Sequence, residues 1–129
     1  ATFSQFYPGY GFFGNLVAVS HTEMYLLWLS TAHSLTISGP RTQLPLSVQL
    51  SPGWTFLPFP YQAPLAVTLG LPDYDYPAGA SLKSQTDFTE YYAGYGWFGS
   101  LTSMVPGKGY KVKVNLDQPT GGQATFLAR

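Results

Sequence analysis

Cysteine is absent from this sequence, which excludes disulfides, thiolate metal sites and a cysteine nucleophile. The fold must therefore be stabilised by packing and hydrogen bonds. Charge is also scarce: Lys, Arg, Asp and Glu make up only 9% of the chain, whereas an ordinary soluble domain has about 25%. We therefore expect part of the surface to be apolar, or to be covered by a partner.

The few charges that are present cancel. Six basic and six acidic residues give a formal net charge of zero, so no overall field attracts nucleic acid or an anionic membrane, and we expect neither partner. The longest strongly apolar run, residues 24–29, is much shorter than the ~20 residues of a membrane-spanning helix. The sequence therefore predicts no transmembrane segment.

The length of 129 residues is typical of a single domain, which we place at residues 1–129. The chain begins at Ala1 rather than at Met, which indicates a processed or trimmed chain. We therefore expect an exported, lumenal or organellar location rather than a cytosolic one.

Aromatic residues are abundant, at 17% of the chain, and many of them occur in a phrase that is present twice. "FYPGYGFFGN" at residues 6–15 returns as "YYAGYGWFGS" at residues 91–100. With an offset of 85 positions, residues 3–29 align with residues 88–114 without a gap. The identical pairs are Phe3/Phe88, Tyr7/Tyr92, Gly9/Gly94, Tyr10/Tyr95, Gly11/Gly96, Phe13/Phe98, Gly14/Gly99, Leu16/Leu101 and Tyr25/Tyr110.

Self-similarity at a fixed offset is typical of duplicated supersecondary units. We therefore predict a partial first repeat unit at residues 3–39 and a complete second unit at residues 44–129. The segment between the two aligned copies has no counterpart, so half of the first unit is missing. We expect that this half was lost or that a neighbouring chain supplies it.

The local patterns favour β-strands. In "YKVKV" (residues 110–114) the apolar residues alternate with two lysines, as in a half-buried strand. Eleven prolines and fourteen glycines leave no stretch suited to a long helix. We predict an all-β fold, an antiparallel sandwich or partly open barrel built from one and a half units of the internal duplication. Further strands are expected at 34–39, 46–51, 54–59, 63–71 and 123–128, of which 63–71 suits a short helix equally well.

Each copy of the aromatic phrase contains the pattern G-x-G-x-x-G, at residues 9–14 and 94–99. In dinucleotide-binding proteins this pattern joins a strand to a helix whose N-terminus faces the pyrophosphate. Here bulky aromatic residues fill the gaps and a β-rich stretch follows, so we predict no nucleotide site and no cofactor. We interpret the phrase as a bulged or kinked strand with rings alternating between core and surface.

Candidate catalytic and metal-binding residues are few. His21 and Glu23 share one side of an extended segment, but they align with the Pro-Gly turn at residues 105–110, so we interpret them as an ordinary polar turn. Asp73 and Asp75 offer two carboxylates, whereas calcium takes about six to eight oxygen ligands. We therefore predict no catalytic residue and no metal site.

The counterpart of "YKVKV" in the first copy is "YLLWL", residues 25–29. Leu26 and Trp28 stand where the second copy has Lys111 and Lys113, so the first strand is apolar on both faces. Such a strand is central in a sheet or covered, and with half a unit missing we expect the cover to be another protein.

The favoured function is therefore a non-enzymatic structural or accessory subunit that docks through an apolar aromatic face into a larger assembly. The partners are other protein subunits or further copies of the chain. The residues predicted at this interface are Phe12, Tyr25, Leu26 and Trp28.

The alternative function is a carbohydrate-binding module. Sugar rings stack on exposed Trp and Tyr side chains, and a platform is available in principle from Trp54 or from Trp97 together with Tyr92 and Tyr95. The competing interpretation is that these rings fill the core of a cysteine-free β domain.

The segments "SPGWTFLPFPYQ" (51–62) and "LKSQTDFTEYYAGYGWFGSLTSMVPGKGYKVKV" (82–114) resemble tandem aromatic and glycine-rich β repeats of exported or surface proteins of algae and bacteria. In those repeats a Gly-Trp strand, a Lys-Ser-Gln segment and a Pro-Gly-x-Gly-Tyr strand follow one another. Residues 51–114 match well, and residues 3–39 match as a partial copy that lacks the Pro-Gly turn. The resemblance implies a non-catalytic β module of a multi-repeat or multi-subunit protein.

Overall fold

The computed structural model describes residues 2–114 and 122–129, and it confirms the predicted all-β class. The strands are β1 (Ser4–Tyr7), β2 (Gly11–Gly14), β3 (Leu46–Leu50), β4 (Gly53–Leu57), β5 (Leu65–Ala66), β6 (Ser81–Lys83), β7 (Phe88–Tyr92), β8 (Gly96–Gly99), β9 (Ser103–Met104), β10 (Tyr110–Val114) and β11 (Gly122–Phe126). One short helix, α1 (Val67–Gly70), follows β5 directly. All the strand pairs are antiparallel.

The largest sheet has five strands in the order β4-β10-β6-β7-β8. Its second strand, β10, confirms the predicted "YKVKV" strand, because Tyr110, Val112 and Val114 are buried on one face. Lys111 and Lys113 lie on the other face, as the two-residue period of a strand requires. We call the first the inner face and the second the outer face.

The inner face packs against a second layer, which consists of the pair β3-β11 and the unit β5-α1-β9. Leu50 of β3, Met104 of β9 and Ala124 of β11 are fully buried there. They join Leu82 and Val112 of the large sheet in one cluster. Two layers around one core make this part of the chain a small open sandwich.

The segment that joins β2 to β3 has no strand or helix between residues 15 and 45. The strand predicted at 34–39 is therefore wrong. Its apolar residues Leu35 and Ile37 are exposed and pair with no strand of the described residues, and an isolated strand is not stable in water.

For residues 63–71 the sequence suited a strand and a short helix equally. The structure contains both, because strand β5 is followed directly by helix α1. Two strands have no counterpart in the sequence predictions, β6 and β9. They contain three and two residues, which is too short for an alternating pattern to be recognised.

The two aromatic phrases are hairpins, β1-β2 and β7-β8, so their interpretation as single bulged or kinked strands is wrong. The Tyr10 amide donates to the Tyr7 carbonyl at 3.0 Å, which closes a tight turn. Gly9, the third residue of this turn, has φ of 82°, a conformation that glycine adopts without steric cost. The chain therefore reverses at the glycine instead of kinking.

Candidate functional site

The two hairpins have the same internal geometry. In the first, Phe6 lies opposite Phe12, and in the second Tyr91 lies opposite Trp97. The ring centroids are 5.2 Å apart in the first of these pairs and 5.4 Å apart in the second. On the other side of each hairpin, Tyr7–Phe13 and Tyr92–Phe98 are each 6.0 Å apart.

The likeness continues beyond the hairpins. The Tyr25 hydroxyl oxygen accepts from the Ser20 amide at 2.8 Å, and the Tyr110 hydroxyl oxygen accepts from the Val105 amide at the same distance. The first copy lacks the Pro-Gly sequence, yet the Glu23 amide closes a turn onto Ser20, as the second copy does at the matching position. These likenesses agree with the duplication, which stays a prediction.

The surroundings of the two hairpins differ. Trp97 is half-buried, packs edge-on against Tyr76 with centroids 5.2 Å apart, and lies against the core. Phe6 and Phe12 are 55% and 69% exposed. The reason is strand pairing: β7 pairs with both β6 and β8, whereas β1 pairs with β2 alone in the part of the chain that the structure describes.

Residues 25–29 do not form the predicted covered strand. Leu26 is 84% exposed and Trp28 is 83% exposed. Their counterparts in β10 lie between β4 and β6, and among residues 2–114 and 122–129 no strand pairs with this part of the first copy. Tyr25 is half-buried and its hydroxyl donates to Glu23 at 3.0 Å. Three of the four predicted interface residues, Phe12, Leu26 and Trp28, are therefore exposed.

The predicted sugar platform of Trp97, Tyr92 and Tyr95 is not assembled. Trp97 lies on the inner side of its hairpin, while Tyr92 lies on the outer side next to Phe98. Tyr95 is exposed in the turn. The remaining candidate, Trp54, lies on the outer face of the large sheet, directly opposite Lys113 of β10.

Three lysine side chains reach over the Trp54 ring. The ammonium groups of Lys111, Lys83 and Lys113 are 4.9, 5.4 and 5.9 Å from its ring centroid. We call these four residues the lysine–tryptophan cluster. Sequence patterns indicated the lysines of β10, but they gave no reason to add Lys83, because it belongs to the unpredicted strand β6.

An open groove of about 600 Å³ runs beside Trp54. One wall is the segment Thr22–Met24, and the other is built from β3 and β4. Hydroxyl and amide side chains line it, including Ser47, Gln49 and Thr55. The groove therefore offers hydrogen-bonding groups next to an aromatic ring.

The candidate catalytic and metal-binding residues lie on the surface. His21 and Glu23 are exposed in the predicted turn, and Asp73 and Asp75 are exposed as well. Among residues 2–114 and 122–129, no three His, Asp or Glu side chains are grouped so as to hold a metal ion. Within the same residues, no helix has the length and apolar character needed to cross a bilayer.

Tyr76 is the most strongly perturbed acid in the described structure. Burial raises the pKa of its phenol far above the ordinary value of 10.0, and the neighbouring Tyr74 and Asp73 act in the same direction. The hydroxyl donates to the Pro72 carbonyl at 2.9 Å. Tyr76 is therefore a protonated core residue that supports Trp97.

This perturbation predicts how stability depends on pH. The folded state keeps the Tyr76 proton at a pH where the unfolded chain loses it, so its contribution to stability is complete below pH 10.0 and is lost above that value. We expect the urea midpoint to fall between pH 9 and pH 11, and Tyr76→Phe to reduce that fall. Tyr95→Phe, at an exposed ring, is the control, and equal slopes in both variants would show that Tyr76 is not the cause.

Protein-family models give no match to the chain. No curated protein and no solved structure matches it either. Its function therefore has to be inferred from its own residues.

Proposed function

We propose that this protein is a non-enzymatic structural or accessory subunit that docks into a larger assembly through residues 3–29. The proposal is supported by two hairpins that share the same internal geometry but differ in their surroundings. The second copy packs its inner rings into a core, and the first copy leaves the same ring positions exposed. The exposure of His21, Glu23, Asp73 and Asp75 supports a non-catalytic role.

The second copy indicates what the first copy would bind. β7 pairs with β6, and β10 pairs with both β4 and β6. Strands β4 and β6 belong to the segment 44–87, for which the first copy has no equivalent. The proposed occupant is therefore a pair of strands like β4 and β6, contributed by a neighbouring repeat unit, which adds to the free strand edges.

Burial of exposed apolar side chains provides a substantial part of the free energy that this docking needs. Complete burial of a large apolar side chain contributes about 1.5–3 kcal/mol. Phe6, Phe12, Leu27 and Leu29 align with inner-face residues of the second copy and are 48–69% exposed, so completing their burial contributes roughly 4–7 kcal/mol on the same scale. This is comparable to the ~4–15 kcal/mol cost of bringing two partners together, and backbone hydrogen bonds add to it.

A designed chain tests the proposal. A second copy of residues 44–87 is joined in front of Phe3, which matches Phe88, the residue that follows this segment naturally. Light scattering over a concentration series should give a mass that rises with concentration for the original chain and a constant monomeric mass for the completed chain. A control carries a Gly-Ser segment of equal length. If the completed chain and this control associate alike, docking does not use the missing strands.

A further inference from the structure

The outer face of the large sheet concentrates positive charge in a chain whose net charge is zero. Three of its six basic residues belong to the lysine–tryptophan cluster. Lys111 lies directly opposite Lys83 across the β10-β6 pair. Like charges in directly opposite positions repel each other, so the cluster is unfavourable unless something compensates for the charge.

The protein itself compensates for little of this charge. The Trp54 ring attracts the ammonium groups by its negative face but has no net charge. Within residues 2–114 and 122–129, none of the three lysines is in an ion pair with a carboxylate. Glu90 is on the same face, opposite Ser81, and its carboxylate already accepts a hydrogen bond from Tyr92 at 3.0 Å. Among the described residues, no carboxylate therefore balances the charge of the three lysines.

The shape of this region suits a ring-shaped ligand. Trp54 is 38% exposed and Phe56 beside it is also exposed, so two aromatic side chains border the lysines. The groove beside Trp54 adds the hydroxyl and amide groups of Ser47, Gln49 and Thr55. A sugar binds by stacking its C–H face on an aromatic ring while its hydroxyls form hydrogen bonds at the edge.

We propose that the lysine–tryptophan cluster binds an acidic polysaccharide, whose pyranose rings carry carboxylate or sulfate groups. The sugar lies against Trp54, its hydroxyls reach into the groove, and its acidic group lies among the three ammonium groups. The three lysines and Trp54 lie outside the proposed docking segment, although one wall of the groove, Thr22–Met24, belongs to it. Trp28 and Leu26 replace two of these lysines in the first copy, so the site belongs to the second unit alone.

The cluster fits a sugar acid better than a nucleic acid. A nucleic-acid site follows a phosphate backbone with a stripe of basic residues on a basic domain. Here the three ammonium groups lie over one ring, and the chain has no net charge.

The test is titration calorimetry of the whole chain with oligogalacturonate, sulfated dextran and neutral dextran. We expect at least one acidic polymer to bind about tenfold or more tightly than neutral dextran, with an affinity that falls as salt rises. The triple variant Lys83→Gln, Lys111→Gln, Lys113→Gln should weaken this binding by about tenfold or more. Lys108→Gln, at the exposed turn of the second unit, is the control and should leave it unchanged.

Three results would overturn the proposal: no binding of either acidic polymer, equal weakening by Lys108→Gln, or tighter binding of a single-stranded oligonucleotide. Circular dichroism checks that the triple variant is folded. If it is not, the single variant Lys113→Gln and the variant Trp54→Leu replace it, and both must weaken binding for the proposal to stand.

Discussion

Trp97→Ala should lower the free energy of unfolding by about 3 kcal/mol, whereas Phe12→Ala should change it by less than about 0.5 kcal/mol. The two residues occupy matching positions of the two hairpins. Trp97 contacts Tyr76 and Tyr91 and lies against the core, so its removal leaves a cavity. Phe12 is 69% exposed, so its removal leaves none.

Urea unfolding followed by circular dichroism measures both effects without depending on tryptophan fluorescence. Each of the two variants is the control for the other, because the two hairpins share strand register and ring spacing and differ in their surroundings. Equal losses in the two variants would mean that the first hairpin is also part of the cooperative core, and the docking proposal would lose its main support.

Replacing Leu27 and Leu29 together by lysine should weaken association of the chain by about a hundredfold or more. These residues align with Val112 and Val114, which are buried on the inner face of β10. Each substitution places a charge where an apolar contact is proposed. Because both side chains are exposed in the isolated chain, its stability should change little.

The matched control for this variant is Leu35→Lys together with Ile37→Lys. These side chains are also exposed and apolar, but they lie outside the aligned segment. Light scattering then compares the three chains over one concentration series. A wild-type chain that stays monomeric at high concentration, or a control that loses association to the same degree, would contradict a docking face at residues 25–29.

The sequence was sufficient to predict strands in which buried apolar residues alternate with exposed polar residues. "YKVKV" is the best example, because three core residues alternate with two lysines and the strand lies within a larger sheet. The prediction for 34–39 used a similar pattern and was wrong. A strand needs a neighbour as well as a pattern, and the sequence does not say which edges are free.

The aromatic phrases were interpreted as bent strands because glycine permits both a bulge and a turn. Only the positive φ of Gly9 and Gly94, together with the closing hydrogen bond, distinguishes a hairpin from a kink. The sugar platform was predicted from composition. It failed for Trp97 because strand alternation places that ring opposite Tyr91, on the other side of the hairpin from Tyr92.

The lysine–tryptophan cluster was only partly predictable. Trp54 was recognised as a candidate ring, and the lysines of β10 were assigned to a solvent face. Trp54 and the three lysines come together because of the register in which β4 and β6 pair with the two edges of β10. That register brings together residues far apart in the chain, which no local pattern encodes.

On our proposal, residues 3–29 form half of a unit whose other half is a segment like 44–87. The decisive measurement is hydrogen exchange on the completed chain, with its added copy of 44–87. We expect the amides of residues 4–7 and 25–29 to become as protected as those of β7 and β10, because they gain strand partners. If these amides exchange as fast as in the original chain, the first copy does not accept such strands and the claim is wrong.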